Sequence, residues 1–192
     1  MKEFILASNS PRRKELLGNS GFEFTVAPSD CNEDTDSSLT PQQTVMELAE
    51  RKALSVLENR KNSVVLGCDT VVAFDGKILG KPRDRQDAFD MLMSLSGRKH
   101  IVSTGVCITD GERKVTFENT TEVEFFSLSE ETVNSYLDTM EYSDKAGSYG
   151  IQGYGSVLVK EIKGDYFSVM GLPLSECARA LATFGIYGRV RV

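Results

Sequence analysis

Apolar and polar positions change period several times along the chain, which predicts a succession of strands and helices. Residues 63–74 form an almost continuous apolar run that is typical of a buried strand. The pair Asp75-Gly76, directly after this run, is typical of a hairpin turn. Comparable patterns predict strands over residues 3–7, 22–27, 63–74, 100–109, 114–126, 156–163 and 165–169.

Capping residues mark where the predicted helices begin. Thr40, Pro41 and Gln43 form a capping box with proline at the first helical position, and this helix is expected to run to about Glu58. Further helices are predicted after Ser10, Asp84 and Ser129 and from Pro173 to about Phe184, with loops at 28–39 and, rich in glycine, at 139–155.

The order of these elements indicates a mixed α/β (α+β) fold around a mixed sheet, because hairpins occur beside strand–helix crossings. The chain has 192 residues, which at about 150 residues per domain predicts a single domain over residues 1–192, or two small lobes that share one core. A composition of 40% hydrophobic and 26% charged residues excludes a disordered chain and a coiled coil.

Charge and cysteine content narrow the class of protein further. The net charge of −6 disfavours sequence-independent nucleic-acid binding, which needs many phosphate contacts. No apolar run approaches the ~20 residues of a membrane span, and the first residues are not typical of a signal peptide. Four widely spaced cysteines indicate reduced thiols in a cytoplasmic protein. The single histidine, His100, excludes a site that needs several imidazoles and is expected to be structural.

Residues 8–13, SNSPRR, place two arginines in the first turn of a predicted helix. Each arginine opposes the helix dipole, at a cost of up to ~1 kcal/mol when exposed. A bound anion would offset this cost, because free N–H groups, hydroxyls and guanidinium groups would all converge on it. The segment alone leaves open the alternative of two solvated arginines at an ordinary helix start.

Asp69 is a charged residue inside the apolar run 63–74, where desolvation disfavours it. It requires backbone donors, a cationic partner or a metal ion. A functional carboxylate is favoured, since buried ionisable groups cluster at sites. The alternative is a structural carboxylate at a β-bulge that Gly67 would allow.

Two glycine-containing segments add candidate chemistry. Gly80-Lys81-Pro82 follows the predicted hairpin, so Lys81 returns toward the region of Asp69, either to bind phosphate or to pair with the carboxylate. Residues 144–155 contain four glycines within nine positions, which indicates close approach of the backbone to another group. This segment matches no phosphate-loop pattern and by itself is typical of a flexible loop.

Together these segments resemble the Maf family of nucleoside triphosphate pyrophosphatases. The similarity covers residues 4 to 175, and the conjunction of motifs is far more specific than any one of them. The matching motifs, in family order, are LASNSPRR at 6–13, DTVV at 69–72, GKP at 80–82, LSGR at 95–98, STGV at 103–106 and DKAGSYGIQG at 144–153.

The resemblance implies an elongated, two-lobed fold around a mixed twisted sheet, with the site in a central cleft. It implies hydrolysis of the α–β phosphoanhydride of a nucleoside triphosphate to the monophosphate and pyrophosphate, with a divalent cation, Mg²⁺ or Mn²⁺, as cofactor. The similarity is to the branch that acts on dTTP and UTP, with modified pyrimidine nucleotides as an open alternative.

The resemblance also implies roles for individual residues. Asp69 corresponds to the proton acceptor that activates water, and Glu33 and Asp69 correspond to metal ligands. Asn32 stands where the family usually carries an acidic residue, which leaves Glu33 as the neighbouring ligand candidate. The substrate-binding positions are Ser8, Arg12, Arg13, Lys52, Thr70, Lys81 and Gln152, of which Arg12, Thr70 and Gln152 match the specificity positions of the dTTP/UTP branch.

The residue chemistry agrees with this expectation. A triphosphate carries about four negative charges, so it needs several cations and a metal ion with oxygen ligands. No Ser-His or Cys-His pair is evident in the sequence, so direct attack by water is simpler than a covalent intermediate. The expected partner is the nucleotide, with no nucleic acid and no membrane, and a homodimer is left open. The alternative function is a nucleotide-sensing regulator of cell division and septum formation without significant turnover.

Overall fold

The computed structural model describes residues 2–192, which form two compact units. The first unit contains the chain up to Asp69 together with Thr104–Asn119 and Gly171–Val192. The second unit contains Thr70–Ser103 and Thr120–Met170. Within the described residues, none of the helices combines the length and the apolar character that crossing a bilayer requires.

Seven strands form one mixed sheet, which confirms the predicted fold class. The strand order is β2-β1-β3-β5-β6-β7, and β4 pairs with β3 outside this path. Strand β1 is parallel to both β2 and β3, whereas β4 is antiparallel to β3 and β7 to β6. The strands are β1 (Glu3–Leu6), β2 (Thr25–Val26), β3 (Ser63–Phe74), β4 (Lys77–Leu79), β5 (Lys99–Thr109), β6 (Lys114–Phe125) and β7 (Val159–Lys163).

The helices begin where the capping residues predict. Thr40 accepts a hydrogen bond from the Gln43 N–H and the Gln43 side chain accepts from the Thr40 N–H, so the capping box is complete. Asp84 and Ser129 also cap their helices through their side chains. The α-helices are α1 (Pro11–Asn19), α2 (Pro41–Asn59), α3 (Arg85–Leu95), α4 (Glu130–Asp138), α5 (Tyr166–Met170) and α6 (Leu174–Ala182).

Helix α2 lies unusually close to the strands of the first unit. A Cβ atom at Gly67 of β3 would lie 2.2 Å from the carbonyl oxygen of Ala49, and one at Gly105 of β5 would lie 2.3 Å from that of Val45. Any side chain at either position would therefore displace the helix. Gly67 serves this close packing, so the structure gives it a role other than the bulge considered from the sequence. The core beneath the helix consists of Ile5, Ala7, Ala49, Ala53, Val56, Val65 and Cys107.

The predicted strand over 165–169 is wrong, because these residues form helix α5. The side chain of Asp165 accepts a hydrogen bond from the Phe167 N–H at 2.8 Å, as a helix-capping residue does. Gly164, with φ of +138°, separates β7 from this helix. The predicted strand over 22–27 shortens to the two residues of β2, since the N–H of Phe22 bonds to Leu17 behind helix α1.

His100 is structural, as expected, and lies in an aromatic cluster of the second unit. It is 3% exposed, and its Nε2 lies 2.8 Å from the Tyr149 hydroxyl, while the rings of Phe125 and Tyr149 pack edge-on against it. Its buried Nδ1 has no hydrogen-bond partner. Burial lowers the pKa of His100 to about 4 from its usual value of 6.5.

This histidine predicts a loss of stability in mild acid. Because the pKa of His100 is lower in the folded than in the unfolded protein, its neutral form favours folding above pH 6.5. This contribution to stability is lost as the pH falls from 6.5 towards 4. Between pH 7 and pH 5 we expect the free energy of unfolding to fall by about 2 kcal/mol more in the wild type than in His100→Gln. Urea unfolding of both proteins at the two pH values measures this, and an equal loss in both would contradict it.

Candidate active site

The predicted site residues Asp69, Lys52 and Glu33 form one charged chain in the first unit. The ammonium nitrogen of Lys52 lies 2.6 Å from Oδ1 of Asp69 and 2.9 Å from Oε1 of Glu33. The side chains of Lys52 and Asp69 are only 12% and 13% exposed, whereas that of Glu33 is 64% exposed. The cluster is therefore closed at Asp69 and open to solvent at Glu33.

Helix packing explains how Lys52 reaches Asp69. Lys52 lies on α2 between Ala49 and Ala53, on the turn that approaches Gly67 of β3. Because the backbones of α2 and β3 are in such close contact at Gly67, the long side chain of Lys52 reaches Asp69, two residues further along the strand. Lys52 is thus largely buried beside a carboxylate.

The loop that carries Glu33 is fastened to the same helix. The guanidinium group of Arg51 donates a hydrogen bond of 2.6 Å to the carbonyl of Asp34, and the hydroxyls of Ser29 and Ser55 are 2.8 Å apart. Asn32 turns its side chain to the Asp34 N–H at 2.7 Å. The residue that departs from the family pattern therefore shapes the loop beside Glu33.

Electrostatics favour a charged Lys52. Burial would lower its pKa, but the Coulomb attraction of Asp69, with hydrogen bonds to Asp69 and Glu33, outweighs burial and raises the pKa above the usual 10.5. The ammonium group is therefore fully charged at neutral pH. It can neutralise the two carboxylates or, when an anion arrives, share its charge with it.

Ser8 and Arg13 form a second group at the carboxyl end of β1. Arg13 donates from Nε to the carbonyl of Gly171 at 2.8 Å and from Nη1 to the Ser8 hydroxyl at 3.1 Å. The thiol of Cys68 donates to the same Gly171 carbonyl at 3.1 Å. The Gly171 carbonyl therefore contacts both Arg13 and Cys68, the residue of β3 that precedes Asp69.

Helix α1 starts at the predicted residue but lacks the side-chain cap expected from Ser10. Pro11 is its first residue, and the side chain of Ser10 accepts no hydrogen bond from the first turn. The N–H of Ser10 instead donates to the Ser8 hydroxyl at 3.2 Å. Arg12 lies half-buried in this first turn. A helix N-terminus with two arginines and a buried hydroxyl beside it is suited to a phosphate group.

The other predicted site residues, Thr70, Lys81 and Gln152, belong to the second unit. Thr70 and Gln152 are half-buried, and Lys81 is exposed. Strand β4 pairs Leu79 with Val72, so the chain returns along β3 as predicted before it reaches Lys81. The carbonyl of Gly80 accepts a hydrogen bond of 3.1 Å from Gly147, which ties the Lys81 turn to the glycine-rich segment.

The glycine-rich segment contains short turns held by hydrogen bonds, and sequence reasoning missed the residue that accepts them. The expected loop 139–155 contains short 3₁₀ turns at Glu141–Asp144 and Ala146–Ser148 and the start of another at Tyr154–Leu158. The carboxylate of Glu141 accepts hydrogen bonds from the N–H groups of Tyr154 at 2.9 Å and Gly155 at 3.1 Å. The glycines make room for this side chain, which is the signal that could have revealed it.

The donor set in the first unit fits a divalent cation that is bound together with a substrate. Glu33 and Asp69 offer carboxylate oxygens, and Mg²⁺ commonly takes one or two carboxylates along with substrate phosphates. Among residues 2–192 no group of three or more His, Cys, Asp and Glu side chains lies close enough to hold an ion alone. A polyphosphate would complete the coordination that two carboxylates begin.

Comparison with known proteins adds a family and relatives. Residues 3–184 match the model of the family described as Maf-like protein. The chain is 49% identical over 186 residues to a dTTP/UTP pyrophosphatase of Bacillus pumilus (strain SAFR-032), which covers 97% of this chain and 98% of that protein. It is 50% identical over 184 residues to a dTTP/UTP pyrophosphatase of Bacillus cytotoxicus, which covers 96% of each. A solved HAM1 protein from Coxiella burnetii shows 16% identity and a TM-score of 0.48, covering 95% of this chain and 100% of that one.

Proposed function

This chain belongs to the Maf family, and on that premise we propose that it is a nucleoside triphosphate pyrophosphatase that hydrolyses dTTP and UTP. The products are the nucleoside monophosphate and pyrophosphate. The observation that carries the proposal is the 49% identity, over 97% of the chain, to a relative named dTTP/UTP pyrophosphatase. The match to the Maf-like protein model over residues 3–184 covers the charged cluster as well as the scaffold around it.

Binding of the phosphates falls to the cationic residues of the first unit. Arg12 and Arg13 are at the N-terminus of α1, where backbone N–H groups also favour an anion. Arg13 is oriented by its bonds to Ser8 and Gly171, so its guanidinium loses little conformational freedom on binding. Lys52 adds a charge beside Asp69, and the family resemblance implies a further substrate-binding cation at Lys81, which is exposed.

Asp69 is the proton acceptor in this proposal. Water supplies the oxygen that forms a new bond to phosphorus, the bridging P–O bond of the α–β anhydride breaks, and a proton of the water passes to the Asp69 carboxylate. Lys52 holds Oδ1 of that carboxylate at 2.6 Å, which fixes its orientation. No nucleophilic side chain is needed, because water attacks the phosphorus directly.

Glu33 and Asp69 would hold the divalent cation through their carboxylate oxygens. When bound, a Mg²⁺ or Mn²⁺ ion supplies charge neutralisation of the phosphates and lowers the pKa of a bound water. Glu33 is exposed, so a cation can reach its carboxylate from solvent, while Lys52 pairs with both carboxylates.

Base selection falls to Arg12, Thr70 and Gln152. Thymine and uracil share an edge of carbonyl, imide N–H and carbonyl groups. A glutamine amide complements this edge, since it can donate to a carbonyl and accept from the imide. Gln152 is half-buried, so a hydrogen bond made there is partly shielded from water.

Gln152→Glu is predicted to impair dTTP and UTP selectively. The substitution keeps the shape of the side chain but replaces an amide donor by a carboxylate. We expect kcat/KM for both substrates to fall by roughly 10- to 100-fold, the size of one lost buried hydrogen bond in the transition state. Pyrophosphate release from a panel of nucleotides measures this, with Gln86→Glu on α3 as the matched control. An unchanged nucleotide profile would remove Gln152 from base recognition.

The reaction itself is tested by its products. The wild-type protein is incubated with dTTP or UTP and Mg²⁺ or Mn²⁺, and pyrophosphate and orthophosphate are measured separately. We expect pyrophosphate and the monophosphate. Orthophosphate with a nucleoside diphosphate would show cleavage at another bond, and binding without turnover would favour a nucleotide sensor instead.

A further inference from the structure

The carboxylate of Glu141 is the hub of the segment that carries Gln152. It accepts hydrogen bonds from the N–H groups of Tyr154 and Gly155 and, at 3.2 Å, from the hydroxyl of Tyr136. That hydroxyl in turn accepts a bond of 3.2 Å from the Gly150 N–H. Two side chains from one stretch of chain therefore fix the backbone on both sides of Gln152.

The packing leaves this arrangement little freedom. A Cβ atom at Gly153 would lie 1.9 Å from Oε2 of Glu141, so the glycine exists to admit the carboxylate. Tyr136 is 4% exposed, and burial together with the nearby Glu141 charge raises the pKa of its phenol, which keeps its proton available for donation. The backbone of Ile151, Gln152 and Gly153 spans the interval between the two anchors.

We propose that Glu141, acting with Tyr136, is a positioning residue for base selection, because it holds the backbone on either side of Gln152 in one conformation. The inference rests on the proposed function, in which Gln152 reads the pyrimidine edge. Glu141 itself need not touch the nucleotide. A selective hydrogen bond requires its partner to be placed within a few tenths of an ångström, so a loosened segment loses discrimination before it loses catalysis.

Two variants of Glu141 are expected to weaken base selection to different extents. Glu141→Ala removes all three hydrogen bonds of the carboxylate. Glu141→Gln has one acceptor oxygen, which can keep Tyr136 and Gly155 but loses the Tyr154 N–H. We expect the ratio of kcat/KM for dTTP to that for dCTP to fall roughly tenfold in Glu141→Ala and about threefold in Glu141→Gln. A purely structural lesion would lower both rates equally and leave the ratio unchanged.

A double-variant cycle tests whether the loss of base selection in Glu141→Ala depends on Gln152. In a Gln152→Ala background, Glu141→Ala is expected to leave the ratio unchanged, since the residue it positions is gone. Glu124→Gln serves as the control, because it breaks an ion pair with Lys160 in the same unit without touching this segment.

The outcomes separate the inference from its premise. A wild-type protein that releases no pyrophosphate from dTTP overturns the proposed function and this inference with it. A wild-type protein that prefers dTTP, while Glu141→Ala and Glu141→Gln keep the wild-type ratio, overturns the inference alone. If Glu141→Ala does not fold, Glu141→Gln decides, and an unchanged ratio in that variant overturns the inference.

Discussion

Asp69→Asn is expected to lower turnover of dTTP and UTP by about 10²-fold or more, the usual loss when a general base is removed, while the protein stays folded. Asparagine has nearly the same shape, and its amide oxygen can still accept from Lys52 where Oδ1 does now, at 2.6 Å. It cannot take a proton or carry charge. Nucleotide binding measured without a divalent cation is expected to persist and to tighten, because a carboxylate that repels the phosphates is gone.

A melting curve, a nucleotide titration and the rate assay together test this expectation. The matched control is Asp110→Asn, since Asp110 is also a buried aspartate of the first unit, paired with Lys2 at 3.1 Å. Burial alone would raise the pKa of Asp110, but hydrogen bonds from Arg113, Glu112 and Lys2 lower it to about 2, so its loss affects stability above that pH and not turnover. An Asp69→Asn protein that folds, binds and turns over at the wild-type rate would refute the role of Asp69.

Lys52→Met is predicted to have the second large effect, on both kcat/KM and the free energy of unfolding. The substitution keeps the aliphatic stem but removes the ammonium that lies between two carboxylates. We expect kcat/KM to fall about 10²-fold or more, as when one charge-stabilising donor is removed from a phosphate site. The unpaired Asp69 is also expected to lower the free energy of unfolding by about 1–3 kcal/mol.

The loss of stability has a defined pH range. The folded pKa of Lys52 is raised above 10.5, so its contribution is complete below that pH and is lost only as the pH rises through the folded value. Urea unfolding at pH 7 and steady-state kinetics measure the two effects, and Lys52→Arg, which keeps the charge, is expected to recover part of both. Lys114→Met, which breaks a surface pair with Glu50, is the control. Equal kinetics in Lys52→Met and Lys114→Met would contradict the role of Lys52.

Local chemistry made much of the fold predictable. The capping box at Thr40 and the hairpin turn at Asp75-Gly76 involve neighbouring residues only, so the sequence shows them directly. The strand predicted over 165–169 failed for the opposite reason. Its apolar residues suit either structure, and the cap from Asp165 decided for a helix.

The site was less visible because its contacts are tertiary. Asp69 was identifiable as a charge in an apolar strand, but the importance of Lys52 depends on how closely α2 approaches Gly67, which no pattern within the helix reveals. Only the family resemblance indicated Lys52 and Glu33. Glu141 was missed because an acidic residue within a glycine-rich loop resembles an ordinary solvated charge.

The position of Gly171 in the sequence also determines when, during synthesis, the site can form. It accepts the hydrogen bond that orients Arg13, across 158 positions of sequence. The first unit is likewise assembled from three separate stretches of chain, the last of which starts at that glycine. During synthesis Arg13 therefore leaves the ribosome long before Gly171, whose carbonyl orients it. Contacts of such long sequence separation form late and slowly, so a nascent chain acquires its oriented arginine only after Gly171 has been synthesised.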